Sequence, residues 1–198
     1  LHCPKSRTGT YAVPAGVEAI GASSFGSSQL SSITLPASLK YIGDFAFASC
    51  HNLNSIILPD GLTTIGCSAF ESCANLTAIT LPDSVTTIED TAFSACNALT
   101  SIVLPDSLTS IGYESFAFCT KLSEITFPAS LKTIGNSAFL GCTALSSLTI
   151  PSSVTTIGDR AFSACDALEE IHIDEKNPNY CIDQIGVLFI KETTELIL

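Results

Sequence analysis

The sequence predicts an α/β solenoid: a right-handed coil of about seven 23-residue repeats with parallel strand ladders, short helical turns and a C-terminal β-hairpin. Three observations predict this fold. Proline recurs at a fixed interval, isoleucine and phenylalanine follow it at constant offsets, and each repeat closes on a Leu-x-x-Ile-x-Leu phrase. A unit of this length cannot bury its own apolar edge, so identical units must stack and bury each other's.

The proline column defines the repeats, with one interval of 22 residues followed by five of 23. It consists of Pro14, Pro36, Pro59, Pro82, Pro105, Pro128 and Pro151. Six residues after each proline comes the isoleucine column, Ile20, Ile42, Ile65, Ile88, Ile111, Ile134 and Ile157. Five residues further on comes the phenylalanine column, Phe25, Phe47, Phe70, Phe93, Phe116, Phe139 and Phe162. Neither apolar column is interrupted, so we expect both to form internal spines.

The local patterns predict the elements within each repeat. In Leu99, Ile102 and Leu104 the last two apolar residues alternate with one outward residue, and this period of two predicts a strand. The Val-x-x-Ile-Gly segment predicts a second short strand, and the Ala-Phe-x-x-Cys segment a single helical or 3₁₀ turn on the return path. Glu89 interrupts a column that is otherwise glycine, so we expect that positive φ is not required there.

Six of the nine cysteines recur at intervals of 23 residues. Stacked side chains on neighbouring strands lie about 4.7 to 4.9 Å apart, whereas a disulfide needs Cβ atoms about 3.5 to 4.5 Å apart. We therefore predict buried free thiols that act as small apolar fillers. The first repeat lacks this cysteine and is one residue shorter, as expected of a capping coil. The column is Cys50, Cys73, Cys96, Cys119, Cys142 and Cys165. Cys3, Cys67 and Cys181 lie outside the column, and the sequence leaves open whether two of them form a disulfide.

Charge and hydropathy narrow the classes of partner. The chain has 198 residues with 19 acidic and 8 basic side chains, a formal net charge of −11 and no run of 18 apolar residues. Membrane insertion is therefore not expected, and nucleic acid is disfavoured because no cluster of basic residues is present. A cationic protein or a divalent ion would be attracted.

The residues that could support catalysis are few. The histidines are His2, His51 and His172, and no G-x-S-x-G elbow, P-loop or H-E-x-x-H motif occurs. His51 follows Cys50 directly, but adjacent residues on a turn point in different directions. We predict that the chain is not an enzyme and needs no cofactor.

One oxygen-rich loop is a candidate metal site. Asp174, Glu175, Asn177 and Asn179 could supply oxygen ligands to calcium, but their spacing matches no EF-hand. A solvated turn built on Asn-Pro is the favoured interpretation, and no metal is predicted.

The outward positions of the predicted strand ladder form the candidate binding face. They are small and neutral, and become acidic towards the C-terminal end. Solenoid faces of this kind commonly bind partners, although hydroxyl and β-branched residues also simply suit exposed strands. The predicted binding residues are Thr34, Ser55, Ile57, Thr80, Ser101, Val103, Glu124, Thr126, Ser147, Thr149, Glu170 and His172.

A second hydroxyl file suggests ice binding as a function of a different class. This hypothesis is disfavoured because Ala19 and Tyr41 break the file and no paired Thr-x-Thr rows occur. The file comprises Thr64, Thr87, Ser110, Thr133 and Thr156.

The repeat phrase LPxSVTTIGxxAFxxCxxLxxI resembles the BspA-like leucine-rich repeat of bacterial and protozoan surface proteins, in seven copies from Pro14 to Ile173. The tail resembles the non-repeat insert of that family, which implies a hairpin in which Gly186 to Ile190 pairs with Glu195 to Leu198 across a turn at 191–194. The organisation is then an N-terminal head at 1–13 continuing from a preceding hairpin, repeats at 14–173, and a loop plus β-hairpin insert at 174–198. We expect one cassette of a longer array.

The resemblance implies a non-enzymatic protein-interaction or adhesion module of an extracellular or cell-surface protein. The expected partner is a protein, extracellular-matrix or cell-surface ligand, with neighbouring repeats of the same parent chain as a further candidate. The alternative is a structural spacer or assembly segment without a ligand of its own.

Overall fold

The computed structural model describes residues 6–182 and 188–190. These residues form a β-solenoid of about seven coils in which short parallel strands of successive coils pair. In chain order the strands are β1 (Thr8–Ala12), β2 (Ala19–Ile20), β3 (Gln29–Thr34), β4 (Tyr41–Ile42), β5 (Ser55–Ile56), β6 (Thr64–Ile65), β7 (Ala78–Thr80), β8 (Thr87–Ile88), β9 (Ser101–Val103), β10 (Ser110–Ile111), β11 (Thr133–Ile134), β12 (Ser147–Ile150), β13 (Thr156–Ile157), β14 (Glu170–Ile173), β15 (Tyr180–Ile182) and β16 (Leu188–Ile190).

The parallel strands fall into two ladders along the stack. The first ladder contains β1 from the head and the Leu-x-x-Ile-x-Leu strands, paired as β1-β3-β5, β7-β9 and β12-β14. The second ladder contains the two-residue strands that end on the isoleucine column, paired as β2-β4-β6 and β8-β10-β11-β13. The register equals the repeat, since Ile79 pairs with Ile102 and Ile111 with Ile134. Both ladders were predicted from the sequence and are confirmed, except that residues 122–128, where the first ladder was expected to continue, form no strand.

The phenylalanine column forms a continuous stack of rings inside the coil. Consecutive ring centroids lie 5.1 to 5.6 Å apart, with interplanar angles of 1 to 12°. The five central rings have no exposed surface, and Tyr11 covers Phe25 at the N-terminal end with centroids 5.7 Å apart. The isoleucine column is buried throughout. The two predicted spines therefore form the core.

The predicted helical turns are wrong: the described residues contain no helix of any type, and the segment around each phenylalanine is a chain of β-turns. The reason is a pair of left-handed residues, four positions apart, which a right-handed helix cannot accommodate. In the third coil these are Ser68, with φ 53°, and Ser72, with φ 57°. The other pairs are Ser23 and Ser27, Phe45 and Ser49, Thr91 and Ala95, Glu114 and Phe118, Ser137 and Gly141, and Arg160 and Ala164.

These turns build a third file of hydrogen bonds along the stack. The N–H groups of Ser68, Phe70 and Ser72 donate to carbonyl groups of the next coil at 2.7 to 2.9 Å. The N–H groups of the residues between them close turns within their own coil. Every backbone donor in the segment is thus satisfied without a helix.

The glycine column exists because coils approach closely there. None of these glycines has a positive φ, which confirms the prediction drawn from Glu89. A Cβ on Gly112 would lie 2.7 Å from Asp90 Oδ1 and 2.8 Å from the Asp90 nitrogen. The Gly112 N–H donates a hydrogen bond to Ile88 O of the preceding coil at 2.8 Å. Glu89, which takes the place of glycine in its own coil, makes no equivalent backbone hydrogen bond in the described residues.

Side chains from the tail close the C-terminal end of the second ladder. The Asn177 amide donates to Pro151 O at 2.8 Å and to Val154 O at 3.1 Å, and the Ile157 N–H donates to the Tyr180 hydroxyl at 2.7 Å. The following strands, β15 and β16, pair antiparallel. The predicted pairing of residues 186–190 with 195–198 lies largely outside the described residues, as do residues 1–5 of the predicted head at 1–13.

Candidate functional site

The cysteine column is the most chemically distinctive internal feature. All six thiols are free, as predicted, and five of them are completely buried between coils. Each Sγ also donates to a phenylalanine carbonyl oxygen of the preceding coil, for example Cys96 to Phe70 O at 3.2 Å and Cys50 to Phe25 O at 3.1 Å. The column therefore ties adjacent coils together, a role that treating cysteine as an apolar filler missed.

Burial makes these thiols poor nucleophiles. It raises the pKa of Cys142 to about 12 and that of Cys165 to about 11, because a thiolate is poorly solvated between the coils. The half-buried Cys67 also has a raised pKa, through burial and then through the negative charges of Asp44, Glu89 and Asp90. Cys67 and Cys181 are free thiols, and Cys3 lies outside the described residues.

The histidines do not pair with these thiols in the described residues. Cys50 is completely buried whereas His51, its neighbour, is exposed, which confirms that the two side chains point in different directions. His172 lies on the first ladder with its Nε2 3.1 Å from Glu170 Oε2, and both side chains are exposed. Within residues 6–182 and 188–190, neither His51 nor His172 is hydrogen-bonded to a thiol or hydroxyl that could act as a nucleophile.

Serine and threonine hydroxyls next to the second ladder donate hydrogen bonds to backbone carbonyl groups. Ser107 Oγ donates to Val85 O at 2.9 Å and Ser130 Oγ to Leu108 O at 2.6 Å, each one coil back. Thr109 Oγ1 donates in the same way to the carbonyl of the previous coil, at 3.0 Å. Their recurrence in the sequence therefore has a structural cause.

The oxygen-rich loop at 174–179 uses its oxygen atoms internally. Asp174 Oδ1 accepts the N–H of Lys176 at 2.9 Å, and this bond lowers the pKa of the Asp174 carboxyl. Asn177 Oδ1 accepts the N–H groups of Asn179 and Tyr180, both at 2.9 Å. Across residues 6–182 and 188–190, no three His, Cys, Asp or Glu side chains cluster in a way that could hold a metal ion.

The outward residues of the first ladder, together with Glu124 and Thr126 from the strandless segment at 122–128, form the surface named here the first-ladder face. It consists of the twelve residues predicted for binding, of which all except the half-buried Ser101 are exposed. Ile57 and Val103 expose 84% and 59% of their surface, whereas the inward Ile56 and Ile102 beside them expose 6% and 7%. The period-two alternation thus places these side chains in solvent, as the sequence indicated.

Three shallow depressions lie along one edge of this face, between the outward side chains and the corner that follows each proline. Their volumes are about 340, 520 and 460 Å³. Each is lined by at least one carboxylate: Asp60 in the first, Asp106 and Glu124 in the second, and Glu124 and Asp174 in the third. Asp60, Asp106 and Asp174 were not among the predicted binding residues. The Leu-Pro-Asp phrase, an exposed carboxylate directly after the proline of the corner, is the signal that could have found the first two.

The exposed aromatic side chains lie away from the first-ladder face. Tyr41 is on the second ladder, while Phe45, Tyr113 and Phe118 are on the turn segments. Phe118 has φ 60° and covers Gly141, where a Cβ would lie 2.9 Å from the Phe118 ring. The first-ladder face therefore offers aliphatic, hydroxyl and carboxylate groups to a partner.

In the described part of the chain there is no helix with the length and hydrophobicity of a membrane span.

Comparison with known proteins identifies the repeat. Residues 18–142 and 86–187 match the BspA type leucine rich repeat region, in six copies. Among solved structures, a leucine-rich cell surface protein from Faecalibacterium prausnitzii is 33% identical with a TM-score of 0.84, over 95% of this chain and 53% of that one. No curated protein matches the chain.

Two further structures show how widely the coil is shared. A leucine-rich repeat protein from Bacteroides ovatus is 30% identical with a TM-score of 0.60, over 83% of this chain and 55% of that one. The pneumococcal vaccine antigen PcpA is 24% identical with a TM-score of 0.58, over 98% and 46%, and shares the fold. The chain spans about half the length of these proteins.

Proposed function

The chain belongs to the BspA-type leucine-rich repeat family, and we propose that it is a non-enzymatic protein-interaction or adhesion module that binds through the first-ladder face. The observation that carries the proposal is the exposure of Ile57 and Val103. Their ladder neighbours are buried, and β-branched aliphatic side chains in solvent are surface that a partner can cover.

A non-enzymatic role is supported by the placement of the reactive residue types. Burial raises the pKa of the five column thiols from Cys73 to Cys165, and the hydroxyls described above donate to backbone carbonyls of the preceding coil. An interaction module requires none of these groups to react. It requires a stiff surface, which the stacked rings and hydrogen-bonded coils supply.

The proposed location is extracellular or at the cell surface, with a protein, matrix or cell-surface ligand. The Faecalibacterium prausnitzii protein is described as a cell surface protein, and its likeness covers most of this chain. Neighbouring repeats of the same parent chain are included among the proposed contacts.

Binding is tested by presenting the purified chain to arrays of matrix proteins and glycans and measuring saturation. The triple variant Thr80→Arg, Val103→Arg and Thr126→Arg should abolish a saturable signal while leaving the circular dichroism spectrum unchanged. The matched control places three arginines on exposed positions of the opposite side, at Tyr41, Thr86 and Thr156. Equal loss in both triples, or loss in neither, contradicts binding through the first-ladder face.

The second candidate is a structural spacer or assembly segment. It is favoured by one observation: the first-ladder face carries no exposed aromatic side chain in the described residues, and aromatic side chains are common anchors of tight interfaces. A spacer predicts no saturable ligand on any array and no effect of either arginine triple.

A further inference from the structure

The edge of the first-ladder face carries negative charge that nothing on the face neutralises. Asp60, Asp83 and Asp106 follow the prolines of three successive coils and are exposed. Among the residues lining the three depressions there is no lysine or arginine, while every depression has a carboxylate. Across the described residues the one ion pair within 4.0 Å joins His172 to Glu170, so none of these three aspartates forms an ion pair, although Lys40 Nζ lies beside Gly61, next to Asp60.

Aliphatic surface runs beside these carboxylates. Ile57, Thr80 and Val103 stand outward on consecutive coils, and their branched side chains form the other wall of the depressions. The floor contains Leu58, which is buried, and the prolines of the corners. A partner lying here meets an apolar row on one side and carboxylates on the other.

We infer that this groove takes an extended, basic segment of a partner protein that runs along the stack, with lysine or arginine at the corner aspartates and aliphatic side chains over Ile57 and Val103. Charge complementarity selects this occupant, because phosphate-bearing polymers and anionic lipids are repelled by the same carboxylates. The proposal rests on the proposed function, since it names the chemistry of the ligand for the same face.

The repeat also sets a spacing for the partner. Neighbouring strands lie about 4.8 Å apart, so Asp60 and Asp106, two coils apart, are separated by about 10 Å along the stack. Three residues of an extended chain also span about 10 Å, at roughly 3.3 Å per residue. Basic residues at every third position therefore match alternate corners.

The probe is an acetylated, amidated and fluorescently labelled peptide, Lys-Leu-Thr-Lys-Leu-Thr-Lys, titrated with the whole chain and followed by anisotropy at low and physiological salt. We expect saturable binding that weakens with salt. The triple variant Asp60→Asn, Asp83→Asn and Asp106→Asn should weaken binding at least about 10-fold, or about 1.4 kcal/mol. A peptide with glutamate in place of lysine should not bind.

The matched control removes the same number of charges away from the groove, with Glu18→Gln, Glu71→Gln and Asp166→Asn, and should change affinity by less than about twofold. Equal weakening in both triples would mean attraction to net charge alone and would overturn the inference, as would no binding by the wild-type chain. Calcium alone is titrated in parallel. Calcium binding that depends on the three aspartates, without peptide binding, would identify a cation site and overturn the basic-segment proposal.

Failure of this inference is distinguishable from failure of the proposed function. If an array ligand binds, is lost in the arginine triple at Thr80, Val103 and Thr126, and is unaffected by the aspartate triple, the face binds a partner of other chemistry and only the basic-segment proposal falls. If neither array ligand nor peptide binds, both proposals fall.

Discussion

Removing one ring from the middle of the aromatic stack is the sharpest test of the core. Phe93 has no exposed surface and stacks on Phe70 at 5.4 Å and on Phe116 at 5.5 Å, with interplanar angles of 1° and 6°. In the Phe93→Ala variant both contacts are lost. The space left behind is bounded by coils that hydrogen bonds hold in register, so the surrounding chain cannot collapse into it.

The magnitude follows from the contacts that disappear. Full burial of a phenylalanine side chain contributes about 1.5 to 3 kcal/mol, and each aromatic pair adds about 0.5 to 1.5 kcal/mol. With two pairs lost, the free energy of unfolding should fall by about 3 to 5 kcal/mol, the range typical of Phe→Ala in a core that relaxes little. Urea denaturation followed by far-ultraviolet circular dichroism measures this loss.

Phe118→Ala is the matched control, because it removes the same ring from an exposed position. Phe118 is 49% exposed and has φ 60°, a conformation that alanine tolerates no worse than phenylalanine. Its loss should stay below about 1 kcal/mol, as for most substitutions at exposed sites. A loss below about 1 kcal/mol for Phe93→Ala, or equal losses for both variants, would refute the view that the stacked rings carry the stability of the coil.

Three further predictions follow from single positions. Ser115 Oγ is buried without a hydrogen-bond partner, so Ser115→Ala should raise the free energy of unfolding by about 1 kcal/mol. A free energy of unfolding below that of the wild-type chain, measured by urea denaturation, would contradict this prediction. Gly112→Ala should cost about 1 to 3 kcal/mol because its Cβ meets the backbone of the previous coil, whereas Gly21→Ala, with its nearest contact at 3.4 Å, should cost at most about 1 kcal/mol. Burial raises the pKa of Cys142 to about 12 from 9.0, so the unfolded chain loses this proton at lower pH than the folded chain does. The free energy of unfolding should therefore fall as pH rises from about 9 to 12. In the Cys142→Ser variant the hydroxyl does not titrate in this range, so the urea midpoint should fall less steeply between pH 8 and pH 10.5.

The sequence predicted the columns of the core well because exact repetition converts one local pattern into a three-dimensional one. A residue that recurs every 23 positions must stack on its own copies, so an apolar column such as that of Phe93 can be assigned inward without knowing any dihedral angle. The return turn was not predicted, because its path depends on φ. Ser68 and Ser72 are left-handed, and serine does not identify that conformation as glycine does.

A regular pattern also explains which residues of the candidate site could be predicted: the outward strand residues could, and the corner aspartates could not. The alternation Ile56, Ile57, Leu58 identifies Ile57 as outward, because a strand has a period of two. The corner aspartates lie just past the strand, where no period applies and where an acidic residue after proline is typical of an ordinary solvated turn. Only the coil brings Asp60 to the edge of a depression that it shares with the outward side chains of the next coil. The charge of such a groove is therefore a property of stacked neighbours, and the Leu-Pro-Asp phrase becomes informative about binding once the stacking is known.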